Sequence, residues 1–320
     1  MSFHGHDEPW REWRAALAGP RMHHGWILAG RSGIGKAAFA LAAARELVAE
    51  PDVKQPSGDH PDIHLIVPLA ADKDEAKKQE DGKPFKRKRS ISVDQIREIQ
   101  HRLFTRPTLG TRRAVIFDSA DILEKAAANA LLKSLEEPPV GTFFLLVSHR
   151  PGRLLPTIRS RCRMLRFPEL SPQDVDTILQ REAPQADSAS RAAAIAAAGG
   201  SPGAALDFLK LDLGAMHRLM AEIVQHGDGD FTRRGRLADA MGARPDRQRQ
   251  LAAIDLARAV LGGEMAQVTR ARIPALADAH GELARLTAQA PTYNFDAGLL
   301  VMEIGGLLAS VAAPRDAADG

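Results

Sequence analysis

Cysteine is nearly missing from this 320-residue chain: Cys162 is the only one. A single thiol excludes an internal disulfide framework and any multi-cysteine zinc site, and it fits a reducing compartment. Aromatic residues are scarce, at 5%, while alanine is abundant, which suits packed helices better than a β-sandwich. No stretch approaches the roughly 18 to 20 uninterrupted apolar residues of a membrane span. The first twenty residues carry Asp7, Glu8, Arg11, Glu12 and Arg14 and lack the apolar centre of a signal peptide. A soluble, cytoplasmic protein is expected. Excess charge of one sign is also wanting: a formal net charge of +3 is too mild to indicate a nucleic-acid partner by itself.

What is present is enough apolar residue, 44%, for two or three domains with their own cores. From Gly25, Trp26-Ile27-Leu28-Ala29 reads as a short buried strand entering a glycine-rich turn, and Ala37 to Val48 has helical spacing. Ile63–Val67, Arg113–Asp118, Thr142–Ser148 and Leu165–Phe167 read as further strands. Val93–Phe104 is an amphipathic helix with Val93, Ile96, Ile99 and Leu103 on one face. Lys125–Glu137 is a helix stopped by Pro138-Pro139, with Ala126, Ala130, Leu131 and Leu135 expected against the sheet. Strands alternating with helices imply a parallel sheet covered on both faces. After Pro168 the pattern is helical throughout. The spacing therefore divides the chain into an α/β domain at 1–167, a small helical module at 168–210 and a helical C-terminal domain at 211–320, ending in a polar tail. Residues 71–90 hold almost no apolar side chains. Lys77, Lys78, Lys83, Lys86, Arg87, Lys88 and Arg89 stand there beside five acids, which predicts an exposed, partly mobile loop; a DNA-contacting patch is the alternative. Acids interleaved through its first half favour the solvated loop.

Gly30-Arg31-Ser32-Gly33-Ile34-Gly35-Lys36-Ala37 follows the phosphate-binding loop pattern G-x-x-x-x-G-K-[ST] through its first seven positions. Gly30, Gly33 and Gly35 let backbone N–H groups turn inward around phosphate oxygens, Lys36 neutralises the outer phosphates, and a helix N-terminus follows. The eighth position departs: Ala37 lacks the hydroxyl that would coordinate Mg²⁺. A second departure lies at the end of the Arg113–Asp118 strand. A hydrolysing ATPase of this type has Asp-Glu there, whereas this chain has Asp118-Ser119, with Asp121 the next acid. Two losses on the hydrolytic side point away from ATP turnover, while the glycines and Lys36 leave phosphate binding open.

The stretch Asp118–Pro139 (DSADILEKAAANALLKSLEEPP), then Phe143–Cys162 ending in Ser-Arg-Cys, resembles the bacterial DNA polymerase III clamp-loader family of AAA+ proteins. His23–Lys36, Val93–Arg97 and Gly199–Leu206 are similar to the same family, so the resemblance covers roughly residues 20–210. Ala37, Ser119 and Ala204-Ala205, where hydrolysing members carry Ser/Thr, Glu and an arginine, resemble its delta-prime branch. Many members of that branch bear a cysteine-rich zinc module, but Glu50–His60 has no cysteine, so no zinc is expected and His60 and His64 are expected to be structural or exposed.

The resemblance implies a RecA-like AAA+ domain with a vestigial phosphate loop, a helical lid and an all-α collar domain. It implies work with gamma/tau and delta subunits, and through them with a sliding clamp and primer-template DNA, requiring no cofactor of its own. Arg161 would project into a neighbouring subunit's ATP site as an arginine finger, the alternative being a pair with a nearby acid or carbonyl. Ser148 sits where the family places a nucleotide-sensing polar residue. Cys162 reads as a small apolar filler. The rivals are a self-sufficient gamma/tau-type ATPase and a DNA-binding module acting through 83–89.

Overall fold

In the computed structural model, residues 5–265, 268, 270–289 and 295–312 are described, and the polar C-terminal tail expected from the sequence lies outside them. The chain divides into two compact units, Met1–Leu170 and Ser171–Gly320. The first unit runs α1 (Asp7–Ala18), β1 (Gly25–Ala29), α2 (Lys36–Val48), β2 (Ile63–Ile66), α3 (Lys73–Glu80), α4 (Val93–Leu103), β3 (Arg113–Asp118), α5 (Lys125–Glu136), β4 (Thr142–Ser148), α6 (Pro156–Arg159) and β5 (Arg163–Arg166). Its five strands pair in parallel in the order β2-β3-β4-β1-β5, so β1 is flanked by β4 and β5.

Alternation along the strands sorts the core into two layers, because successive side chains point to opposite faces. Trp26 and Leu28, Ala114 and Ile116, and Leu145 and Val147 join the layer under α1 and α2. Ile27 and Ala29, Val115 and Phe117, and Phe144 and Leu146 join the layer under α4 and α5. Both faces are covered, and so the central strands read as continuous apolar runs.

Three local features differ from the sequence expectation. The polar N-terminus contains helix α1. Its Trp10 and Trp13, with Ala16 and Leu17, form an i, i+3 stripe laid on the sheet: Trp13 is fully buried edge-on to Trp26 at 5.4 Å, and Trp10 packs on Phe39 at 4.2 Å. Two tryptophans outweigh the helix's charges, since each buries roughly 150–250 Å². Helix α5 differs at one position: Ala126 is exposed, while Leu131 and Leu135 are buried and Ala130 packs against the core as expected, joined by Ala127 and Ala128. Residues 71–90 are exposed but built. Asp72 caps α3 by accepting from the Glu75 N–H, and Ala70 bridges Arg87 in antiparallel fashion.

The second unit is helical: α7 (Pro172–Glu182), α8 (Ser188–Ala198), α9 (Pro202–Lys210), α10 (Gly214–His226), α11 (Thr232–Met241), α12 (Arg247–Met265), α13 (Ile273–Gln289) and α14 (Ala297–Ser310). Among the described residues no strand follows β5, and no helix is long and apolar enough to cross a membrane. Ser171, Asp187 and Ser201 cap α7, α8 and α9 through backbone N–H groups, so their boundaries are written in the sequence.

Candidate functional site

The glycine loop leaves the C-terminal end of β1 and enters α2. A Cβ on Gly30 would lie 2.6 Å from the Phe167 carbonyl oxygen and 2.7 Å from Ile34 Cδ1, so only glycine fits against β5's exit. Gly33 and Gly35 take φ of 76° and 97°, the left-handed backbone that favours glycine. Lys36 opens α2 and is only 2% exposed. Its Nζ donates to the carbonyls of Gly30, at 2.7 Å, and Arg31. Burial pulls this ammonium down to about 8, against the opposing attraction of Asp121 and Asp118.

Asp118 ends β3, as a metal-facing acid does in a phosphate-loop ATPase, and Ser119 follows it. The organising group is Asp121. Its Oδ1 accepts from the Ser148 hydroxyl at 2.7 Å and the Arg150 N–H at 3.3 Å; its Oδ2 accepts from the His149 N–H at 2.5 Å and the Ser119 hydroxyl at 3.0 Å. Burial pushes this carboxyl up, but the four hydrogen bonds, led by that from the His149 backbone, win and hold it below the usual carboxylate range. Ser148 is fully buried and committed to Asp121. Burial, and then the charge of Lys36, push the His149 imidazole below its ordinary value. Lys36, Asp118, Asp121, Ser148 and His149 thus form one electrostatic cluster at the C-terminal ends of β1, β3 and β4.

These residues suit one half of a Mg²⁺–nucleotide. Three glycines, a lysine and the N-terminus of α2 match phosphate oxygens. The metal half keeps Asp118 but is otherwise incomplete: Ala37 has no oxygen, Ser119 has no carboxylate, and Asp121 has both of its oxygens filled.

Arg161 is placed elsewhere. It precedes β5, and its carbonyl lies 3.1 Å from where a Cβ on Gly25 would stand, at the N-terminal end of β1. The phosphate loop leaves the other end of β1, five strand residues or roughly 16 Å away. Arg161 therefore cannot serve its own chain's loop. Its Nη2 pairs with Glu136 Oε1 at 2.7 Å and its Nη1 donates to the Thr157 carbonyl at 3.1 Å, with 35% of the side chain exposed. Burial pushes the neighbouring Cys162 thiol up to about 12. His60 is buried, its Nε2 on Gln55 Oε1 and its Nδ1 accepting from the Asp62 N–H; burial pulls both His60 and His64 below their ordinary values. Sequence reasoning missed the hub role of Asp121 and the presence of His149. The Asp-x-x acid after β3 and a serine ending β4 were visible; their convergence was not.

A parallel sheet in this order, with a phosphate loop after β1 and an acid ending β3, defines a P-loop protein of the AAA+ class. The family described as "DNA polymerase III, delta subunit" matches residues 5–171, nearly the whole first unit. The chain is 33% identical over 210 residues to the DNA polymerase III subunit delta′ of Escherichia coli K12, a match covering 62% of this chain and 58% of that one. It is 32% identical over 192 residues to a DNA polymerase III subunit gamma/tau of Mycobacterium tuberculosis, covering 58% of this chain and 32% of that one. A solved gamma subunit-related DNA polymerase III protein of Thermotoga maritima shares the fold with a TM-score of 0.50 at 18% identity, over 95% of this chain and 99% of that one. The chain belongs to the DNA polymerase III delta-prime family, a branch of the AAA+ clamp-loader proteins.

Proposed function

We propose that this chain is a non-hydrolysing delta-prime subunit of a DNA polymerase III clamp loader, which lends Arg161 to the ATP site of a neighbouring subunit. The observation that carries the reading is the state of the metal- and water-handling positions. Ala37 and Ser119 bring no ligand and no base, and Asp121, the next acid after Asp118, is saturated by four donors and held ionised as a weak base. A catalytic base needs a free lone pair within reach of its proton, and this one has none. Gly30, Gly33, Gly35 and Lys36 keep the residue types of a phosphate loop, which supports residual nucleotide as a structural ligand only, with no zinc and no other cofactor required in this reading.

Arg161 lies a strand's length from its own loop, which supports action in trans only. A planar, permanently charged guanidinium suits a γ-phosphate in its transition state. Its pair with Glu136 holds the fork in place and would exchange for phosphate oxygens in the assembled ring. In this reading residues 168–210 serve as lid and 211–320 as collar. The partners are gamma/tau and delta subunits, the sliding clamp and primed DNA are met through the complex, and the work is done in the cytoplasm.

The similarity to gamma/tau favours one second reading, a self-sufficient loader ATPase. Purified chain with Mg²⁺-ATP separates the two. Turnover at background supports the proposal; turnover above background that Lys36→Ala abolishes would overturn it. Co-purification with gamma/tau and delta tests the assembly half.

A further inference from the structure

Charge in the segment between β2 and α4 is segregated. All five acids of residues 71–90 lie at or before Asp81, in and around α3, whereas Lys83, Lys86, Arg87, Lys88 and Arg89 follow with no acid among them. The acids are also partly spent within the segment. Asp72 caps α3, the buried Glu75 takes Lys78 at 2.8 Å and the Lys86 N–H at 2.6 Å, and Asp81 takes Lys83 at 3.0 Å. Of the cations at 86–89, Lys86 still feels the charge of Glu75, whereas among the described residues Lys88 and Arg89 make no ion pair.

Nor is the basic stretch a free coil. The Ala71 N–H donates to the Lys86 carbonyl at 2.9 Å and the Lys88 N–H to the Leu69 carbonyl at 2.7 Å, so 86–88 is tied to 69–71 by one antiparallel bridge at Arg87. Arg87 lies over the Phe85 ring at 4.8 Å and donates to the Pro68 carbonyl at 3.1 Å, which ties one cation down. Lys86, Lys88 and Arg89 remain exposed on this fixed backbone. The stretch then joins Ile91, which bridges Leu123, and Ser90, which donates to Glu124 at 2.8 Å, beside the start of α5 and its exposed Lys125.

We propose that 83–89 is a preformed basic arm that contacts the phosphate backbone of nucleic acid, with Lys86, Lys88 and Arg89 as the contacting residues. Cations on a tethered backbone suit a polyanion, and a backbone already held in place avoids the ordering cost a flexible loop would meet on binding. The contact is sequence-independent, since nothing in the arm is arranged to read base edges. The inference rests on the proposed clamp-loader role, which would bring primed DNA to this subunit.

The test uses clamp loader reconstituted with this chain or with its Lys86→Gln/Lys88→Gln/Arg89→Gln variant, and a primer-template duplex as probe, over 50–200 mM salt. All three residues are exposed, so the variant is expected to assemble and to fold as the parent does. Each neutralised phosphate contact contributes about 0.9 to the slope of log K against log salt. The variant slope should be shallower by about 1.8–2.7, with affinity lower by at least tenfold at the lowest salt. A slope within about 0.5 of the parent in an assembled complex would overturn the arm and leave the subunit assignment standing. Loss of assembly with the variant alone would assign the arm to a protein partner and equally overturn the phosphate contact. Failure of the parent chain to assemble would instead refute the clamp-loader role.

Discussion

Asp121→Asn separates a structural hub from a catalytic base. The substitution keeps shape but converts one acceptor oxygen to an NH₂ donor. The amide will turn its oxygen to the His149 N–H and Ser119 hydroxyl, because a backbone N–H cannot become an acceptor. Its NH₂ then faces Ser148, whose hydroxyl can rotate to accept, and the Arg150 N–H loses its 3.3 Å bond. What is lost is charge assistance and one weak bond, about 1.5–3 kcal/mol. Asp121→Ala, which strands a fully buried Ser148 and the His149 N–H, should cost roughly 2 kcal/mol more.

Tryptophan fluorescence in urea reads this cleanly, since Trp10, Trp13 and Trp26 all lie in one layer of the first unit's core. With an m-value of about 2 kcal/mol/M the Asn variant's midpoint falls by about 0.75–1.5 M. The pH dependence has a fixed sign. Asp121 is held below its unfolded value of about 3.9, so its contribution is full above that pH and is lost as pH falls through the folded value. The gap between parent and variant should close below about pH 4. An unchanged midpoint, together with loss of an ATP turnover that the parent chain possessed, would refute the hub and make Asp121 a base.

Two further outcomes follow from local geometry. With its thiol pushed up to about 12, Cys162 should react with iodoacetamide at pH 8 at least about a hundredfold more slowly in the folded chain than in urea, where an ordinary thiol near 8.5 is partly ionised; equal rates would contradict its burial. Gly141→Ala should lower the first unit's stability by about 2–4 kcal/mol by urea denaturation, because its φ is 73° and a Cβ would stand 2.1 Å from the Thr111 carbonyl oxygen; a neutral result would contradict the turn.

The sheet was legible in the sequence because its central strands are buried on both faces and so read as unbroken apolar runs, Arg113–Asp118 and Thr142–Ser148 above all. The end of α5 was legible from Pro138-Pro139, whereas α9 begins at Pro202 under a Ser201 cap that the sequence reading did not pick out. Helix α1 was not legible, because its attachment rests on two tryptophans in a stretch dominated by charge. The exposure of Ala126 in α5 was hidden because alanine at 126, 127, 128 and 130 gives no contrast between faces. At the site, the glycines, Lys36, Ala37 and Asp118-Ser119 could be read in order along the chain. The Asp121 hub joins the turn after β3 to the end of β4, 27 residues apart, and only folding brings these together. The charged segment at 71–90 is exposed, as its composition suggested, but helix α3 and the bridge between Ala70 and Arg87 were not legible, because few apolar residues mark them.

The central claim, that this chain completes a neighbour's active site and has none of its own, is tested most directly by Arg161→Ala in a loader reconstituted with gamma/tau and delta. The side chain is partly exposed and makes one surface ion pair, so folding and co-purification should be retained. The account predicts that DNA-stimulated ATP turnover of the complex falls, by the share of the site Arg161 faces, while the isolated chain stays at background with or without the substitution. Turnover unchanged in an intact complex would contradict it.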